Sequence, residues 1–279
     1  MNYLDKFSKG HILVAPGIYD PLSAIIADKI GFDFLYLSGA SISYSYLGLP
    51  DMSFTGLSEV ESTIRRISYR VQTPIICDAD NGYGNEINVE HTVRLLERSG
   101  AAAIQIEDQK TPKRCGHLNG KEVLPEKEMV LKIKAALETR KSALIIARTD
   151  ALSVDGLDEA IRRGNLYVES GADVIFIEAP SSKQDLVEIG KKVKGLKMVN
   201  MVEGGKTPLL ESKELQNMGF SLVIYPGAAI RTVSHSLRIL YKEIKDKGTT
   251  KNLLENMLNF TELQNLLDID KITGKYDIQ

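Results

Sequence analysis

The chain has 279 residues, 43% of them hydrophobic and 26% charged, the composition of an ordinary folded protein able to bury a large core as one large domain or two ordinary ones. A formal net charge of -2 without a long basic run argues against nucleic acid as the main partner, because phosphate binding needs clustered Lys and Arg. No stretch approaches the ~20 apolar residues of a membrane-spanning helix, the N-terminus Met1-Asn2-Tyr3-Leu4-Asp5-Lys6 lacks a signal-peptide layout, and two cysteines make neither a disulfide framework nor a zinc spacing; a cytoplasmic protein with reduced thiols and a small polar ligand is expected.

In chain order, short apolar runs alternate with segments of helical period. Strands are expected at 12–15, 34–37, 74–77, 102–106, 143–147, 173–177, 197–201 and 222–225. Helices are expected at 21–30, 58–70, 88–99, 126–140, 157–169, 183–194, 211–218 and 228–245. Gly31, Gly100, Gly171 and Gly219 sit where helices turn back toward strands. Eight βα units point to an α/β fold, a (β/α)8 TIM-type barrel over residues 1–247, ahead of an open doubly wound sheet, since no G-x-G-x-x-G follows the first strand. Residues 248–279 form a C-terminal helical extension, with short amphipathic pieces at 252–258 and 262–267 placed to pack on a neighbouring subunit or on the barrel itself.

In a barrel the C-terminal strand ends hold the active site, and here most of them are polar. Strand two ends in Ser38-Gly39-Ala40, small residues whose backbone N–H groups can approach an anion. Strand three ends in Asp78-Ala79-Asp80-Asn81-Gly82-Tyr83-Gly84; carboxylates at i and i+2 share one side of an extended chain and suit a hard cation such as Mg2+. Strand four ends in Glu107-Asp108, strand five in Arg148-Thr149-Asp150, strand six in Glu178 and strand seven in Asn200. Any one of these can be a helix cap or turn residue. Together they describe a rim that a metal and an anionic substrate would neutralise, with Arg148 set to grip a carboxylate through two hydrogen bonds.

The loop from Glu107 to Val123 carries Cys115 among Lys113, Arg114 and His117. Three neighbouring cations predict a thiol pKa below the free value of about 8.5. Its glycines, Gly116 and Gly120, predict a mobile lid over roughly residues 110–121. Cys77 continues an apolar run and reads as core, while His11, His91 and His235 have no partnering pattern and read as surface or structural residues.

With these motifs assembled, S-G-A at 38–40, D-A-D-N-G-Y-G at 78–84, K-R-C-G-H at 113–117 and R-T-D at 148–150, the chain resembles the isocitrate lyase and phosphoenolpyruvate mutase superfamily over nearly its full length. The resemblance implies a barrel, Mg2+ dependence with Mn2+ as a substitute, a mobile loop, and a homotetramer whose C-terminal helices are exchanged between subunits. It implies Asp78 and Asp80 as metal positions, with Glu107 and Asp51 reaching the metal through water. Ser38, Gly39, Ala40, Asp51, Lys113, Gly116, Arg148, Glu178 and Asn200 fall at substrate-contacting positions. Cys115, Arg148, Tyr36 and His117 are the candidate catalytic residues: Cys115 matches the thiol that protonates a carbanion in the lyase members, and Tyr36 or a carboxylate-held water is the base.

Two departures bear on substrate. Members that cleave the tricarboxylate 2-methylisocitrate carry an arginine in a late R-N-E-L run, where this chain has Phe260 within Asn259-Phe260-Thr261-Glu262-Leu263. They also carry N-I-T after strand seven, where this chain continues from Asn200 as Met201-Val202-Glu203-Gly204-Gly205. The expectation is a carbon–carbon lyase for a 2,3-dimethylmalate-like substrate giving pyruvate and a short acid, with 2-methylisocitrate cleavage, phosphonomutase chemistry on a carboxyphosphonoenolpyruvate-like compound, and a non-catalytic dicarboxylate-binding barrel as alternatives.

Overall fold

A computed structural model describes residues 2–118 and 120–274. Eight parallel strands close into a barrel in sequence order: β1 (Leu13–Ile18), β2 (Leu35–Leu37), β3 (Ile75–Asp78), β4 (Ala101–Glu107), β5 (Leu144–Thr149), β6 (Val174–Ile177), β7 (Leu196–Asn200) and β8 (Leu222–Tyr225). Closure comes from β1 against β8, paired from Leu13 with Leu222 to Pro16 with Tyr225. The helices are α1 (Pro21–Ile30), α2 (Gly39–Ile42), α3 (Leu57–Ser68), α4 (Glu86–Arg98), α5 (Glu126–Thr139), α6 (Leu152–Asp155), α7 (Leu157–Glu169), α8 (Lys183–Lys192), α9 (Ser212–Asn217) and α10 (Ala228–Lys247).

Local chemistry sets several boundaries. Helix α1 starts where the Asp20 carboxylate accepts the Ser23 N–H at 2.7 Å, has Pro21 in its first turn, and stops at Gly31 with φ 92°. Asn85 and Ser182 cap α4 and α8 in the same way. Two single-turn helices, α2 and α6, follow directly on strands β2 and β5, and neither was foreseen from periodicity.

The barrel interior places the site. Alternate residues of each strand face inward, and the apolar interior includes Leu13, Ala15, Tyr36, Ile76, Ala103, Leu144, Ile146, Val174, Phe176, Met198, Leu222 and Ile224. Two residues further along, the same parity carries Tyr36 to Ser38, Ile76 to Asp78, Ile146 to Arg148, Phe176 to Glu178 and Met198 to Asn200; on β4, Ala103 leads through Gln105 to Glu107. The apolar plug thus determines which side chains meet above it. Cys77 has the opposite parity and is fully buried. His91 and His235 are exposed, and His11 lies 3.5 Å from Asp33 at the surface.

Contacts group the chain into one compact unit through Ala228 and a second from Ala229 onward. The second unit contains most of α10, a 3-10 segment Lys251–Asn256, α11 (Phe260–Leu266) and α12 (Ile269–Thr273). Within it, Val233, Leu237, Ile239, Leu240, Leu253 and Met257 line an apolar groove of about 270 Å³. No helix among the described residues is long and apolar enough to cross a membrane.

Candidate active site

The β3 end builds a carboxylate corner. Asp78 accepts hydrogen bonds on Oδ1 from Gln105 Nε2 at 3.1 Å and the Asp80 N–H at 3.2 Å, and on Oδ2 from the Gly39 N–H at 3.4 Å. A Cβ on Gly39 would lie 3.3 Å from Asp78 Oδ2 and 3.5 Å from Asp80 Oδ1, so glycine there lets α2 approach both acids. Asp80 takes a left-handed conformation, φ 46°, and the turn behind it is tied down: Lys132 Nζ donates to Asn81 O at 2.8 Å and Thr92 Oγ1 to Gly82 O at 3.1 Å. Burial, opposed by the Lys113 ammonium and reinforced by Asp78 and Asp51, raises the Asp80 pKa to about 6.

Tyr36 reaches this corner through Gln105. Its hydroxyl donates to Gln105 Oε1 at 2.9 Å, and burial with the Asp78 charge raises its pKa well above the ordinary tyrosine value. The chain from Tyr36 through Gln105 to Asp78 orients the carboxylate.

The two acids ending β4 diverge, as strand alternation requires. Asp108 points away from the barrel interior and accepts from Thr149 Oγ1 at 2.7 Å, Tyr167 Oη at 2.8 Å, the Asp150 N–H at 2.9 Å and Arg163 Nη1 at 3.2 Å. Glu107 points inward, fully buried, with neither oxygen hydrogen-bonded to any described group; Arg148 Nη1 stands 3.2 Å from Oε2. Burial drives the Glu107 pKa well above the carboxylate range despite the Arg148 charge.

Arg148 is the hub of the opposite wall. It pairs with Asp150 through Nε at 2.8 Å and Nη2 at 3.1 Å, and its Nη1 lies 3.7 Å from Glu178 Oε2. Asn200 Nδ2 sits 3.4 Å from both Glu178 oxygens. Burial alone would raise the Glu178 pKa, but the guanidinium and the His117 contact lower it, leaving an ionised wall residue.

The loop that follows β4 lies over this rim. Lys113 Nζ bridges Asp51 Oδ1 at 2.6 Å and Asp80 Oδ1 at 2.7 Å, and His117 Nε2 lies 3.1 Å from Glu178 Oε1. The Lys206 N–H donates to His117 Nδ1 at 3.1 Å, which places the ring proton on Nε2, facing Glu178. A Cβ on Gly116 would lie 2.4 Å from Glu178 Cγ and 2.6 Å from Arg148 Nη2, so only glycine lets the lid seat. The expected lowering of the Cys115 pKa is overturned. Burial raises it, Asp51 and Glu178 add to the rise, and these outweigh the His117 N–H and Arg148. The Lys113 ammonium is taken by Asp51 and Asp80, and the His117 ring is turned to Glu178, so neither side chain faces the thiol as a free cation.

Among the described residues no three His, Cys, Asp or Glu side chains converge as a metal cage. The corner fits an ion that takes one or two carboxylates and completes its shell with water and substrate oxygens, the habit of Mg2+. The two unbonded Glu107 oxygens supply acceptors for such waters. Sequence reasoning missed Gln105, Lys121 and Lys132. Gln105 had a signal, a polar side chain at an inward position of an apolar strand, whereas the two lysines read as loop and helix-surface residues.

Comparison with known proteins agrees with this geometry. The phosphoenolpyruvate phosphomutase family matches residues 4–245. A 2-methylisocitrate lyase of Aeropyrum pernix is 46% identical over 94% of this chain and 85% of its own length. A 2,3-dimethylmalate lyase of Eubacterium barkeri is 41% identical over 96% of this chain and 93% of its own. Among solved structures, phosphonopyruvate hydrolase in complex with oxalate and Mg2+ superposes with a TM-score of 0.88 at 28% identity, covering 99% of both chains. The chain belongs to the phosphoenolpyruvate phosphomutase family, within the PEP mutase/isocitrate lyase superfamily.

Proposed function

We propose that this chain is a divalent-metal-dependent carbon–carbon lyase that cleaves a 2,3-dimethylmalate-like 2-hydroxy dicarboxylate to pyruvate and a short carboxylic acid. The observation that carries the reading is the lid thiol: Cys115 is held protonated by burial and by Asp51 and Glu178, directly beside the residues that seat on Arg148 and Glu178. A thiol with a raised pKa stays protonated: it is a poor nucleophile, and it keeps a proton for a much more basic carbanion.

Asp78 and Asp80 would hold the cation, Mg2+ first and Mn2+ as a substitute, with Glu107 and Asp51 acting through water. When bound, the ion supplies Lewis-acid polarisation of the substrate's 2-oxygen and neighbouring carboxylate. Arg148, Asn200 and the Ser38-Gly39-Ala40 turn orient the carboxylates. A water held on the carboxylates takes the hydroxyl proton, and the C2–C3 bond breaks as C2 becomes the carbonyl of pyruvate. The bonding pair passes to C3, conjugated with its carboxylate, and the Cys115 S–H proton is delivered to C3. The closed lid excludes bulk water, and the held water stays on the carboxylate side, so the proton for C3 comes from the thiol.

Replacing Cys115 with Ser tests this. Turnover should nearly vanish while Mg2+ and pyruvate still bind; near-normal activity would show that the thiol is not the donor. A second reading, 2-methylisocitrate cleavage, draws on the Aeropyrum pernix relative. Against it stands a departure in sequence: that substrate's lyases carry arginine in a late R-N-E-L run where this chain has the uncharged Phe260. The apolar groove on the second unit, together with 47% exposure of Ile239 and 61% of Leu254, supports association into the homotetramer with exchanged C-terminal helices.

A further inference from the structure

We infer that Lys121 is a positioning residue that latches the lid shut and couples closure to the substrate-binding Arg148. It rests on the reading of Cys115 as a donor acting from the closed lid. Lys121 is almost wholly buried, its side chain only 1% exposed. Its ammonium donates in two directions, to Gly116 O at 2.5 Å and to Asp150 Oδ1 at 2.7 Å. Gly116 follows the donor thiol, and Asp150 carries the bidentate pair with Arg148.

The position of Lys121 in the loop matters as much as its partners. The base of the lid is a fixed pair of chain segments: Gln109 bridges to Val123, the Lys110 N–H donates to Glu122 O at 2.9 Å, and the Leu124 N–H to Asp108 O at 2.7 Å. Lys121 stands beside this stationary base and reaches to the moving tip. Its bond to Asp150 needs no lid motion, whereas its bond to Gly116 forms only when the tip comes down. A buried ammonium with a second acceptor missing is poorly satisfied, so the closed lid is the state that completes its hydrogen bonds. Because Asp150 is shared, the cation that fastens Gly116 also braces the carboxylate that orients Arg148. The thiol and the guanidinium are thereby fixed relative to one another through one side chain, bonded to Gly116 on one side and to Asp150 on the other.

The test is alkylation by iodoacetamide in the substrate-free enzyme, with Cys115 and Cys77 followed separately by peptide mass spectrometry. Cys77 is fully buried in β3 and reports global unfolding. In Lys121→Met, Cys115 should be alkylated about tenfold faster or more, the factor expected from losing one charge-assisted hydrogen bond that closes the lid, while Cys77 keeps its rate. Lys121→Gln, the milder change, should move Cys115 the same way by about threefold. With a turned-over dicarboxylate, kcat should fall more than KM rises. A Cys115 rate unchanged in both variants, or a rise shared with Cys77, overturns the latch. The alkylation readout needs no turnover, so a wrong choice of substrate or reaction leaves it interpretable.

Discussion

The two adjacent acids at the end of β4 should respond in opposite ways to the same chemical change. In Asp108→Asn an amide must replace a carboxylate that accepts from two hydroxyls, one backbone N–H and Arg163. With the amide oxygen at the Oδ2 position, its NH2 faces the Asp150 N–H donor, and buried Arg163 loses one of its two carboxylate partners, Glu159 remaining at 2.9 Å. A broken buried ion pair and a donor set against a donor should cost about 3–5 kcal/mol. Glu107→Gln removes a carboxylate that has no hydrogen bond and that burial already keeps from ionising readily. Arg148 still has Asp150 and Glu178, so stability should change by no more than about 1 kcal/mol. Activity should reverse the order: Glu107→Gln should lose about 100-fold or more in kcat/KM, and folded Asp108→Asn should stay within about tenfold. Urea denaturation followed by circular dichroism gives the first ranking, and pyruvate release the second. Equal stability losses, or a larger loss at Glu107, would refute the assignment of one acid to the frame and the other to the site.

Further outcomes follow from the same geometry. Gly116→Ala places a methyl against Glu178 and Arg148, so the lid should fail to seat: kcat should drop by about 100-fold with the thermal midpoint unchanged, and a normal kcat would show that the closed arrangement is not the working one. Burial opposes ionisation of Asp150, but Arg148 and Lys121 lower its pKa to about 2. A depressed folded-state pKa stabilises fully above the unfolded value of about 4 and is lost as pH falls from there toward 2, so the penalty of Asp150→Asn should be constant near neutrality and shrink below about pH 4. A penalty that grows on acidification would contradict that sign.

The fold was legible because its signals are local. Asp20, Pro21 and Gly31 mark both ends of α1, and most strands are short apolar runs that end in, or lead directly into, a polar residue. The site residues were legible for a related reason, since barrel parity brings Asp78, Arg148, Glu178 and Asn200 above one apolar plug. What the sequence hid depends on partners distant in the chain. Lys113 and His117 looked like cations available to Cys115, but the loop buries the thiol, which raises its pKa, and Asp51 and Glu178, lying across the barrel mouth against those two side chains, add to the rise. Lys121 sits in a run of polar loop residues, and only closure of the loop onto Asp150 shows that it is buried. Tyr36 was visible as an inward hydroxyl, but the Gln105 contact that occupies it joins strands β2 and β4, which are not neighbours in the sheet.

The reaction is defined by the bond that breaks and the substrate that carries it. The direct measurement is pyruvate release with Mg2+ from 2,3-dimethylmalate and from 2-methylisocitrate under identical conditions, with EDTA as the metal control. The expected result is a higher kcat/KM for 2,3-dimethylmalate, loss of both signals with EDTA, and loss of both in Cys115→Ser. A higher kcat/KM for the tricarboxylate would overturn the substrate assignment, and pyruvate release that survives Cys115→Ser would contradict the mechanism.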